Sequence, residues 1–116
     1  MKHYDLEDRT FDFARRNRVF VKKLPITIGN REDIPQLIKS SGSVGANYIE
    51  ANEALSKKDF VMRTKICRKE AKESRYWLQL IVTNESEKLE KERKELIQEA
   101  TELMNIFGSI IRKSEM

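Results

Sequence analysis

Ser40-Ser41-Gly42-Ser43-Val44-Gly45-Ala46-Asn47-Tyr48-Ile49-Glu50-Ala51 lies inside an apolar pattern of helical period, yet it carries two glycines three residues apart. Each Gly costs an exposed helix about 1 kcal/mol relative to Ala. A helix that keeps two of them has a compensating reason, and the usual one is close approach by another backbone. Working outward, Ile34, Ser41, Tyr48 and Leu55 form one seven-residue track, and Leu37, Val44 and Ala51 form the next. Gly45 falls four residues after Ser41, beside this seam. Sustained heptads of this kind belong to long helices packed at shallow angles.

The same period recurs on both sides. Leu6, Phe13 and Phe20 repeat by seven, with Ala14, Val21 and Leu24 adjoining them, and Pro25 ends that helix. Ile26 to Asp33 reads as a loop marked by Gly29 and Asn30, and Pro35 then falls in the first turn of the second helix. Ser56-Lys57-Lys58-Asp59 has the spacing of a capping box, with Asp in place of Glu or Gln. Behind it, Phe60, Thr64, Cys67, Ala71, Ser74, Leu78 and Ile81 alternate by four and three, and Trp77 and Leu80 widen that face. Asn84 and Ser86 are candidate caps of a fourth helix. There Leu89, Leu96, Leu103 and Ile110 repeat by seven, flanked by Ile97, Ala100, Met104, Phe107 and Ile111. Short connections make consecutive helices antiparallel neighbours. The expectation is an all-α, up-down-up-down antiparallel four-helix bundle. It forms one domain over residues 1–116, with helices near 5–24, 33–55, 57–82 and 85–113.

Composition agrees. Charged residues make up 36% of the chain and Pro plus Gly only six positions, which favours a charged helical protein over a sheet or a disordered chain. Cys67 is the single cysteine, so no intramolecular disulfide forms, which suits a reducing compartment. The charged N-terminus has no apolar signal region and no window approaches 18 apolar residues, so a cytoplasmic protein away from the membrane is the simplest expectation.

The net charge of +4 is unevenly spread. Arg9 to Lys23 holds six basic residues against Asp12 alone; Lys57 to Arg75 holds eight against Asp59, Glu70 and Glu73. Glu85 to Glu102 reverses the sign, with seven glutamates against four bases. Two readings follow. The basic helices can bind phosphates, with affinity that falls as salt rises. Alternatively these are solvated faces, with the acids of helix four answering the bases of its neighbours. The asymmetry also suits self-association.

Catalytic chemistry finds no foothold. A di-iron bundle site needs four glutamates and two Glu-x-x-His pairs, but the only histidine is His3, in an N-terminus expected to fray. Glu50 and Glu53, or Glu70 and Glu73, bring two carboxylates together without a second ligand type; pairing of Glu50, Glu70 and Glu73 with Arg63, Arg68 or Arg75 is the plainer expectation. Cys67 sits on the apolar track with no histidine to activate it. Gly42-x-x-Gly45 is inside a helix, not after a strand, so it is no phosphate loop. Tyr76 and Trp77 can offer bases a stacking surface, although Trp77 reads as core or interface. No metal and no cofactor is implied.

Two motifs carry a resemblance. Gln36-Leu37-Ile38-Lys39-Ser40-Ser41-Gly42-Ser43-Val44-Gly45-Ala46-Asn47-Tyr48-Ile49-Glu50-Ala51, followed by Cys67-Arg68-Lys69-Glu70-Ala71-Lys72-Glu73-Ser74-Arg75-Tyr76-Trp77-Leu78, resembles the four-helix bundle proteins first noticed as reading frames in intervening sequences of bacterial 23S ribosomal RNA genes. The match runs from about Asp5 to Ile111 and is strongest over Leu37 to Leu80. Many members end the first motif in Glu-Gly, where this chain has Glu50-Ala51, and the Ile26 to Asp33 loop looks longer than usual. The resemblance implies a ring-like homopentamer of largely unassigned function, with no catalytic residues to carry over. A related bundle, the accessory variability protein of diversity-generating retroelements, is pentameric and basic, binds nucleic acid and partners a reverse transcriptase.

Together these considerations lead to a non-enzymatic, homo-oligomeric bundle that binds RNA or DNA through Arg15, Arg16, Arg18, Lys22, Lys23, Lys65, Arg68, Lys69 and Lys72. Ser41, Gly42, Gly45, Asn47 and Tyr48 serve helix packing or subunit contact. The alternative is a scaffold or accessory subunit whose partner is a protein, such as a reverse transcriptase.

Overall fold

Four helices follow one another: α1 (Leu6–Val21), α2 (Ile28–Asn52), α3 (Lys57–Leu80) and α4 (Glu87–Ser114). The structure, a computed structural model, describes residues 5–116; His3 lies outside the described residues. Contacts run antiparallel around a ring. Asn52 of α2 donates to Glu7 of α1, Ser74 of α3 donates to Ser40 of α2, and Arg75 of α3 donates to Thr101 of α4. Arg9 of α1 donates to Glu99 of α4 and closes the circle. α1 and α3 have no Cα atoms within 8 Å of one another, nor have α2 and α4, so each of these pairs stands at opposite corners. This is the expected up-down-up-down bundle.

The heptad positions fill its axis. Phe13, Phe20, Leu37, Val44, Cys67, Ala71, Leu78, Leu96, Ala100, Leu103 and Phe107 form one buried cluster. Tyr48 sets its ring against Phe107, with centroids 5.8 Å apart. Helix starts follow the sequence where a hydroxyl is available. Ser56 Oγ accepts the Asp59 amide at 3.0 Å and Ser86 Oγ accepts the Leu89 amide at 3.3 Å, each satisfying an orphan N–H. Asn84 is no cap; it and Glu85 take positive φ (52° and 63°) to turn the chain between α3 and α4.

α2 departs from expectation at both ends. It begins at Ile28 rather than near Asp33, because Thr27 Oγ1 caps it by accepting the Asn30 amide at 3.0 Å. Gly29 and Asn30 therefore lie in its first turn, and Pro35 is inside the helix. Pro35 removes one i→i−4 bond, but it and Arg31, whose carbonyl loses that partner, are both on the exposed side. Asn30 anchors this end of the helix: its Nδ2 donates to the carbonyls of Pro25 and Val82 at 3.0 and 2.8 Å, and its Oδ1 accepts the Val82 amide at 2.9 Å. One buried side chain thus ties both loops at this end of the bundle. At its other end α2 stops at Asn52, and Leu55, placed by the heptad on the seam, is fully exposed. α1 likewise ends at Val21, three residues short of expectation, and Leu80 is exposed rather than part of the α3 core face.

Candidate nucleic-acid interface

α3 is an amphipathic helix whose two sides are sharply different. Thr64, Cys67, Ala71, Ser74 and Leu78 are buried. Lys58, Met62, Lys65, Lys69, Lys72 and Tyr76 follow the complementary spacing of four, three, four, three and four residues, and all are exposed. They form a row about 27 Å long at about 1.5 Å per residue. Arg68 is exposed beside it. Among the described residues the one ion pair within this row is between Lys65 and Glu115, at 3.4 Å with both side chains about half exposed. Such a pair contributes little, about 0–1 kcal/mol.

α1 is different, because α4 answers part of its charge. Arg9 grips Glu99 and Glu102 with bonds of 2.7 to 2.8 Å, and the paired carboxylates hold its guanidinium proton even more firmly than usual. Lys23 meets Glu92 at 2.6 Å, and Arg15 meets Asp12 at 2.5 Å on its own helix. Arg18 bonds the Ala14 carbonyl at 3.3 Å and lays its guanidinium over Gly42. Arg16 and Lys22 make no ion pair among the described residues. Since α1 and α3 are diagonal, the nine basic positions divide into two groups on opposite corners and form no single surface. In the α1 group Arg15 and Lys23 are ion-paired and Arg18 bonds a carbonyl, which leaves Arg16 and Lys22; in the α3 group Lys65 alone is ion-paired among the described residues, and Arg68, Lys69 and Lys72 are open. Lys58 and Met62 join the α3 row although sequence reasoning left them out. The signal was present, since Lys58, Lys65 and Lys72 are spaced by seven.

Several of the small residues of α2 pack inside the subunit. A Cβ at Gly45 would sit 3.0 Å from Thr10 Oγ1, so α1 does approach closely there. Ser41 is buried, and Tyr48 packs on Phe107. Asn47 accepts from Arg63 at 3.2 Å and donates to the Ser43 carbonyl at 2.9 Å. Beside Gly42 and Gly45 an apolar groove stays open between α1 and α2, lined also by Ala14 and Ala46 and by Phe11 and Ile49, which are 70% and 51% exposed.

Burial pushes the Cys67 thiol up to about 12, so it stays protonated and unreactive at neutral pH. The expected pairs of Glu70 and Glu73 with arginine do not form: Arg63 and Arg75 bond Asn47 and Thr101, while Glu73 accepts from Trp77 Nε1 at 3.3 Å. Burial raises the Glu70 carboxyl, and the charge of Glu73 adds to this. Among the described residues no three of His, Cys, Asp and Glu gather to hold a metal ion, and no helix is long and apolar enough to cross a membrane.

Comparison places this geometry. The crystal structure of a protein of unknown function from the S23 ribosomal protein family of Bacteroides thetaiotaomicron superposes with a TM-score of 0.76 at 29% identity, covering 92% of this chain and 98% of the other. No functionally curated protein matches the chain. The family model described as 23S rRNA-intervening sequence protein matches residues 3–109. A bundle of this topology, matched in sequence over nearly its whole length, belongs to the 23S rRNA-intervening sequence protein family.

Proposed function

We propose that this chain is a non-enzymatic, cytoplasmic, homo-oligomeric bundle that binds RNA or DNA through the outward face of α3. The observation that carries the reading is the row of Lys58, Lys65, Lys69 and Lys72, flanked by Arg68 and answered only by Glu115 among the described residues. α4 ties down Arg9 of α1 and Lys23 just beyond it, but no residue within α4 pairs with this row among the described residues. A ring of five subunits, as the resemblance implies, multiplies the +4 charge of the chain fivefold and lets weak contacts act together. The groove beside Phe11 and Ile49 supports self-association, since exposed apolar side chains around a narrow floor suit a subunit contact. It equally favours the second reading, a scaffold for a protein partner such as a reverse transcriptase.

Fluorescence anisotropy with labelled RNA and matched DNA at about 50 and 200 mM salt tests the first reading, because phosphate contacts lose orders of magnitude across that range. Replacing Lys65, Arg68, Lys69 and Lys72 together by Gln abolishes binding, whereas replacing Arg15, Arg16, Arg18 and Lys22 leaves most of it. Retained affinity in the α3 variant refutes the assignment. Absence of binding in the wild type turns the search to protein partners. Light scattering reads the assembly against the 13.7 kDa subunit.

A further inference from the structure

The α3 row is not uniformly basic, and its apolar members bear on the form of nucleic acid it takes. At the start of the helix Val61 and Met62 line a shallow hollow edged by Lys57, Lys58, Lys65 and Glu115. At the far end stands Tyr76, 55% exposed. Its ring meets Trp77 edge to face, with centroids 5.0 Å apart and planes at 73°. Trp77 is itself held, through its bond to Glu73 and its packing on the core. Tyr76 is therefore an exposed aromatic ring on a rigid support, in line with lysines and not set apart from them.

We infer that this face takes single-stranded nucleic acid, with the lysines on phosphates and bases laid against Tyr76 and in the Val61–Met62 hollow. This rests on the nucleic-acid reading above and narrows it. A duplex offers its outer surface as phosphate and sugar, leaving Tyr76 and Met62 without partners. Nor can α3 present itself as a groove-reading helix. α2 and α4 flank it, with 25 and 28 residues against its own 24, so it does not project from the bundle. A major groove about 12 Å wide admits one helix about 10–12 Å across, not one with neighbours on both sides. An unpaired strand exposes the flat faces of its bases, and an aromatic ring in a basic track is what those faces stack on.

The test uses labelled oligothymidine and a labelled duplex of equal length with the full chain at about 50 mM salt. The oligothymidine binds at least about tenfold more tightly, and its binding changes the emission of Trp77. Tyr76→Ala weakens the single strand roughly 5- to 100-fold, the effect of losing one stacked base, and leaves any duplex binding and the salt slope unchanged. Tyr76→Phe keeps the ring and restores affinity. Equal affinity for both forms, or a Tyr76→Ala variant that binds oligothymidine as the wild type does, overturns the inference while the basic-face reading stands. No binding of either form overturns that reading itself.

Discussion

Gly45 is where the close approach of α1 and α2 can be weighed directly. Gly45→Ala adds one methyl group in mid-helix, and by propensity alone it should stabilise α2 by about 1 kcal/mol. Its Cβ would meet Thr10 Oγ1 at 3.0 Å and Thr10 Cβ at 3.3 Å. Thr10 cannot swing aside. It is buried and β-branched, and its hydroxyl donates toward the carbonyls of Leu6 and Glu7 at 2.9 and 3.0 Å. α1 must shift instead, and overpacking of this kind costs about 1–3 kcal/mol. The net expectation is a loss of about 0–2 kcal/mol. Gly29→Ala is the internal control: it lies in the same helix with nothing within 4 Å of its added Cβ, and should gain about 0.4–1 kcal/mol. Urea unfolding followed by circular dichroism, at one protein concentration because assembly shifts apparent stability, should separate the two variants by roughly 0.4–3 kcal/mol. In a Thr10→Ala background the penalty at position 45 should largely vanish. Gly45→Ala stabilising as much as Gly29→Ala would refute the reasoning and make the glycine merely tolerated.

Asn30→Ala severs both loops from one another and should cost roughly 2–3 kcal/mol; hydrogen exchange at the Val82 amide, which Asn30 Oδ1 accepts, should quicken in step. Asn17 is buried in α1 with no partner for its Oδ1 among the described residues, so Asn17→Leu should raise stability by about 1 kcal/mol, read by urea unfolding. Cys67 should resist a disulfide reagent at pH about 8 in the native protein and react once unfolded; equal rates would show that the core opens readily. Bonds from Arg93 and Thr83 hold the Glu90 carboxyl below its ordinary value of 4.5. Its contribution to stability is therefore present above that value and lost as pH falls through the lower folded one. The stability gap between wild type and Glu90→Gln should narrow on acidification from pH about 7; a gap that widens would contradict the pairing.

Much of this protein was legible in the chain. Heptads of Phe, Leu and Ile specify where each helix turns inward, because burial of an apolar stripe is a local demand repeated every 3.5 residues. Ser56 and Ser86 mark two helix starts because capping involves only neighbours in sequence. What failed depends on partners far along the chain. Gly29 and Asn30 look like a loop until Asn30 is seen bonded to Val82, 52 residues away. Leu55 continues a heptad whose helix has already ended at Asn52.

The candidate site divides in the same way. The sequence by itself determined that helices one and three are basic and helix four acidic, and it showed Gly45 needing a close neighbour. Only the tertiary structure decided that Glu99 and Glu102 of α4 answer Arg9 of α1 and Glu92 answers Lys23 just beyond that helix, while α3 stands diagonal to α1 with its lysines largely left to solvent. Charge along a chain is a property of residues, but neutralisation acts through space and falls off within about 8–10 Å at ordinary salt, so which basic helix stays open depends on which corner of the bundle it occupies.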